Sequence, residues 1–163
     1  MKLAKNLNNL GTESAFSVLA EAKALEAKGH PMIHLGLGQP DFKTPKHVVE
    51  AAKKALDDGH HGYVMSNGIP ECREAVTRWI KKQYNANIDA ERILIMPGGK
   101  PTMSYAIQCF GEPGAEIIHP TPAFPIYESM INYTGSTPVP YDLTEDKDLK
   151  FDPHKILSLI TDK

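Results

Sequence analysis

Leu94-Ile95-Met96-Pro97-Gly98-Gly99-Lys100-Pro101-Thr102-Met103, followed by Glu116-Ile117-Ile118-His119-Pro120-Thr121-Pro122-Ala123-Phe124-Pro125-Ile126-Tyr127, sets the architecture of this chain. An apolar run at 92–96 reads as a buried strand. It passes through a glycine turn into a helix whose apolar face is Met103, Ala106, Ile107 and Phe110. Glycines let a backbone approach a ligand closely, and the first N–H groups of a helix have no partner within it. With the positive end of the helix dipole they form a place for an anion such as a phosphate. Lys100 adds charge and Thr102 a hydroxyl. Pro101 has no N–H, so Gly99, Lys100 and Thr102 are left to supply the backbone contacts. The spacing matches neither the P-loop nor the dinucleotide fingerprint. A strand-to-helix turn with no ligand would account for the same residues.

Working outward, Ser14 to Lys28 reads as a helix stopped by Gly29, and Met32 to Leu37 as a short extended segment. Thr44-Pro45 has the form of a capping hydroxyl and a first-turn proline, with Val48, Val49, Ala52, Ala55 and Leu56 as the apolar stripe that follows. Pro70 opens another helix to Tyr84, with Cys72, Val76 and Trp79 on one face. Glu116–His119 and Thr137–Tyr141 read as strands on either side of a helix over 126–133. Asp152-Pro153 starts a last helix toward Ile160. Alternating strands and helices predict an α/β sheet with crossover helices. Three short strands are few for six helices, and the chain ends where another strand is expected.

The 163 residues allow one domain's worth of core; 41% hydrophobic and 23% charged residues are ordinary for a globular protein. A formal net charge of -2 gives no electrostatic case for nucleic acid or an anionic membrane. No apolar run approaches the roughly 20 residues that span a bilayer, and the first ten residues lack a signal peptide's apolar region. Cys72 and Cys109 form neither a disulfide framework nor a metal site and read as small buried hydrophobes in a reducing, cytoplasmic setting. His60 and His61 have no third ligand at a suitable spacing, so no metal is expected.

Four stretches taken together resemble the class I/II aminotransferases that depend on pyridoxal 5'-phosphate. Gly36-Leu37-Gly38-Gln39-Pro40-Asp41-Phe42-Lys43-Thr44-Pro45 matches the family's Gly-x-Gly-x-Pro-Asp-Phe-x-Thr-Pro, with Gln39 in place of the commoner Glu. Tyr63 to Ala75 is similar to Tyr-x-x-x-x-Gly-x-Pro-x-Leu-Arg-x-Ala, with Cys72 at the Leu position. The turn at Gly98–Thr102 leads to Pro113-Gly114-Ala115-Glu116-Ile117, where the family has Pro-Gly-Asp-Glu-Val. Pro120 to Tyr127 follows the family's Pro-x-Pro-x-aromatic-x-x-Tyr. The resemblance covers essentially the whole sequence in order.

That resemblance implies the N-terminal part of the family's large α/β domain, an incomplete, mostly parallel sheet with flanking helices. Residues 1–45 would form an N-terminal helix and substrate-side loop, and 46–163 the first part of the cofactor-binding domain. Gly99, Lys100, Pro101 and Thr102 would bind the cofactor phosphate, and Phe124 would stack on its pyridine ring. Gly38 would lie against the substrate carboxylate. Tyr63 would reach across a homodimer interface to the other subunit's cofactor. The implied reaction moves an amino group between an amino acid and a 2-oxo acid; related lyases and synthases share these motifs. The family's lysine, which forms a Schiff base with the cofactor, stands in Ser-x-x-Lys, and no such motif occurs here, so no catalytic residue is assigned. By the same analogy Arg92–Met96 lacks its native neighbours, and the chain alone is expected to be inactive and poorly stable. A non-catalytic fragment acting by dimerisation or by binding a partner chain is the other reading.

Overall fold

The computed structural model describes residues 2–11, 14–144 and 149–163. Among these, the main elements in chain order are α1 (Ser14–Glu26), α2 (Lys46–Asp57), α3 (Pro70–Tyr84), α4 (Gly99–Phe110), β1 (Glu116–Thr121), α5 (Ile126–Thr134), β2 (Thr137–Asp142) and α6 (Pro153–Ser158). The chain divides into two units, Met1–Leu37 with Gly98–Lys163, and Gly38–Pro97. Each is described by itself.

In the first unit β1, α5 and β2 form a βαβ crossover, with the strands parallel and Glu116 opposite Thr137 through Thr121 opposite Asp142. Parallel strands cannot be joined by a tight hairpin, which is why a helix intervenes. The turn into β1 closes by an Ala115 N–H donated to the Glu112 carbonyl at 3.1 Å, with Gly114 at φ 99°. Backbone alone therefore makes the turn, and Ala115 needs no carboxylate. Thr137 and Leu143 donate their N–H groups to the carbonyls of Ala115 and Thr121. By the two-residue alternation of a strand, Val139 and Tyr141 also face β1, while Pro138 and Pro140 turn their nitrogens away. No ladder bond is lost to either proline, the arrangement that admits proline into a strand.

The core of this unit is small. Ile131 is fully buried, Ile107 and Met130 are nearly so, and Ile117, Ile126, Tyr127 and Tyr133 pack against them. Tyr141 is buried at the sheet's far end, where its hydroxyl accepts the Asp152 N–H at 2.6 Å. Asp152 then caps α6, its carboxylate accepting from the N–H groups of His154 and Lys155.

In the second unit, Pro70 stands at the first position of α3, and Asn85 ends it in the left-handed conformation (φ 53°). Arg73, buried on α3, donates from Nη1 to the Ala90 carbonyl at 3.1 Å and to Glu91 Oε1 at 2.9 Å, tying the helix to the 3-10 turn Ala90–Arg92.

Several expectations change. Thr44 does not cap α2: Pro45 occupies the cap position with an extended ψ of 136°, so the helix starts one residue later and lacks a side-chain cap. Residues 93–96 are extended but join no strand ladder; Ile95 donates its N–H to the Asn67 carbonyl at 3.1 Å instead. Cys72 is half-buried but Cys109 is exposed. Phe110, placed by periodicity on the apolar face of α4, is 83% exposed. Trp79, Val48 and Leu56 are likewise exposed on their stripes. Periodicity identifies the face to be covered, and the described residues leave much of it uncovered.

Candidate functional site

The α4 N-terminus is built by Gly98, which adopts φ 99° and ψ 171° as its cap. A side chain is strained in that conformation, so the glycine is required by the turn. No side chain caps the helix. With Gly98 at the cap, the Thr102 amide is the first that can bond within the helix, to the Gly98 carbonyl. The Gly99 and Lys100 amides therefore stand ahead of the first bond within the helix, and Pro101 has no N–H to add. The Thr102 hydroxyl also donates to the Gly98 carbonyl, at 3.4 Å. Both the N–H that the sequence offered as a donor and the hydroxyl of Thr102 are thus directed to the Gly98 carbonyl.

The chain brings Phe124 to the same place. After β1 it passes a cis Thr121–Pro122 bond and enters α5 at Ile126, leaving Phe124 39% exposed just before the helix. Lys100 Nζ lies 5.3 Å from the centroid of the Phe124 ring and 5.7 Å from that of Phe16 on α1. Residues far apart in sequence thus converge in one unit: a helix N-terminus, a cation, and an aromatic face. Phe16 was not identified from sequence, where it appears as one apolar residue in a helix with no motif around it.

Gly38 and Tyr63 belong to the second unit. A Cβ at Gly38 would meet nothing within 4 Å, so no described residue requires a glycine there. Tyr63 is fully exposed, at 109%, in the loop between α2 and α3. It borders a hollow of about 630 Å³ lined with Ala55, His60, Val64, Ile69 and Glu71. Within the described residues no cluster of His, Cys, Asp and Glu could hold a metal ion, and no helix is long and apolar enough to cross a membrane.

An anion cradle beside an aromatic platform suits a flat, phosphorylated ligand, and the family model for aminotransferase class I and II matches residues 30–163. The chain belongs to that family. Aspartate aminotransferase of Bacillus subtilis strain 168 is 32% identical over 163 residues, all of this chain and 42% of that protein. A probable N-acetyl-LL-diaminopimelate aminotransferase of the same organism is 40% identical over 139 residues, 85% of this chain and 35% of that one. Among solved structures, the aspartate aminotransferase of Thermus thermophilus with maleate superimposes with a TM-score of 0.89 at 29% identity, covering 99% of this chain and 42% of that chain. The fold is thus the α/β fold of the aminotransferases, in part: the chain spans about 42% of the length of these aspartate aminotransferases.

Proposed function

We propose that this chain supplies the cofactor-phosphate and ring-stacking side of a pyridoxal 5'-phosphate-dependent aminotransferase, whose substrates are an amino acid and a 2-oxo acid. The convergence of the uncapped α4 N-terminus, Lys100 and Phe124 carries this reading. These residues fit the group. The Gly99 and Lys100 amides and the helix dipole hold a phosphate dianion, and Lys100 adds a full positive charge beside it. Phe124 offers a face on which a pyridine ring lies flat. Pro101 shapes the turn, and Thr102 contributes its hydroxyl. When bound, the cofactor supplies an electron sink for the carbanion that forms at the substrate's α-carbon. The chain's own part is to bind and orient. No residue in it is assigned to move the α-proton, so by itself the chain is expected to bind without turnover.

Residues 1–45 are read as the N-terminal helix and substrate-side loop, with Gly38 beside the substrate carboxylate, and 46–163 as the first part of the cofactor-binding domain. Tyr63, fully exposed, suits a contact with a second subunit's cofactor in a homodimer. Few cysteines and no disulfide support a reducing compartment such as the cytoplasm. Amino-acid biosynthesis is the corresponding metabolic setting.

Titration of the chain with pyridoxal 5'-phosphate, with phosphate-free pyridoxal as control, tests the reading by absorbance or fluorescence. The phosphorylated ligand is expected to bind at least about tenfold tighter, since a hydrogen bond to a charged group contributes about 1.5–3 kcal/mol. Equal affinities would remove the cradle from cofactor binding. A second reading, a non-catalytic chain acting by dimerisation or partner binding, is favoured by the exposed apolar side chains of α2 and α3. Its sign would be a stable oligomer with no affinity for either ligand.

A further inference from the structure

We propose that Phe16 on α1 is a positioning residue for Lys100, giving the N-terminal helix a part in phosphate recognition without touching the phosphate. The inference rests on the cradle reading above. A lysine side chain is long and flexible, and fixing it costs rotamer freedom. Here its ammonium lies over two aromatic rings, 5.7 Å from the Phe16 centroid and 5.3 Å from that of Phe124, within the range at which a ring quadrupole attracts a cation. Lys100 is the second residue of α4, so an ammonium held there stands beside the amides at that helix N-terminus.

The two rings have different duties. Phe124 is the platform for a flat ligand and has two faces, so it can carry the ammonium on one and a pyridine ring on the other. Phe16 has no place in that stacking. It is 56% exposed, and its ring centroid stands 5.7 Å from the ammonium. Being largely exposed, it can be changed with little loss of buried packing, which separates a positioning role from a structural one.

The experiment uses the whole chain and the variants Phe16→Leu, Phe16→Trp and Lys100→Met. The first readout needs no ligand: in two-dimensional NMR, the Lys100 ε-methylene resonance is expected to shift upfield under the two rings. That shift should shrink in Phe16→Leu and return in Phe16→Trp. The second readout is affinity for pyridoxal 5'-phosphate against pyridoxal. Phe16→Leu is expected to weaken the phosphorylated ligand about two- to fivefold, the range for an exposed cation–π pair. Binding of pyridoxal should be unchanged, and Phe16→Trp should restore the loss. If Lys100→Met weakens phosphate binding and Phe16→Leu does not, the positioning role falls and the cradle stands. If neither variant changes a measurable preference for the phosphorylated ligand, or if there is no preference, the cradle assignment and the inference fall together. An unchanged Lys100 resonance in Phe16→Leu would overturn the contact itself, whatever the affinities.

Discussion

Two glycines that look alike in sequence have different physical standing. Gly68, in the family-like stretch after Tyr63, adopts φ 98°, and a Cβ there would lie 2.6 Å from Ile95 Cγ1. Gly68→Ala combines backbone strain with a clash and is expected to destabilise its unit by about 2–4 kcal/mol, read as a lowered urea midpoint. Gly38→Ala meets neither obstacle and should leave the same midpoint within about 0.5 kcal/mol. A loss as large as that of Gly68→Ala would mean that Gly38 is packed in solution. A motif can mark both glycines, but only three-dimensional contact explains one of them, because Ile95 is distant in sequence. The same limit applies at the candidate site. Gly99, Lys100 and Phe124 were legible because each stands in a motif with a chemical reason. Phe16 was not, since a single aromatic in a helix carries no local sign of the cation it meets.

Helix boundaries were legible where a stop or start is enforced by the backbone itself. Pro70 at the first position of α3 and the glycines after α1 and α2 act locally, so sequence suffices. The start of α2 was misplaced because Pro45 keeps an extended ψ and sits outside the helix, leaving Thr44 too far away to cap it. Asp152 is a true cap, accepting from two N–H groups, and Asp152→Ala should cost about 1 kcal/mol, localised to α6 in hydrogen-exchange protection. At the other end of the unit, Pro101 withholds an amide from the first turn of α4. Pro101→Ala restores that donor and is expected to tighten pyridoxal 5'-phosphate binding by up to about tenfold, leaving pyridoxal unaffected. Weaker phosphate binding in that variant would mean that the fixed proline φ matters more than the missing N–H.

Large apolar side chains stand exposed in each unit: Phe16 and Phe110 in one, Val48, Leu56 and Trp79 in the other. The α/β class was legible because the alternation of periods is a property of the chain. The extent of sheet was not, since strand pairing depends on partners: β1 and β2 find each other, whereas residues 93–96 find none among the described residues. The 163-residue chain by itself is expected to associate at micromolar concentration, or to unfold over a broad temperature range, in sedimentation and calorimetry. A sharp monomeric transition at high temperature would contradict that expectation.

The two prolines of β2 determine the form such association takes. Pro138 and Pro140 leave Asp142 as the one residue of that strand with an outward N–H, while on β1 Pro120 lacks one and Glu116 and Ile118 keep theirs. The β1 margin is therefore the more adhesive side and the β2 margin the more inert side. Two copies that join through the adhesive side are related by a two-fold rotation, and the pair then offers a third copy only its proline-bearing margins. Growth stops at two. Replacing both prolines with valine would make the inert side adhesive as well, and open-ended fibres, visible by electron microscopy, should replace closed pairs.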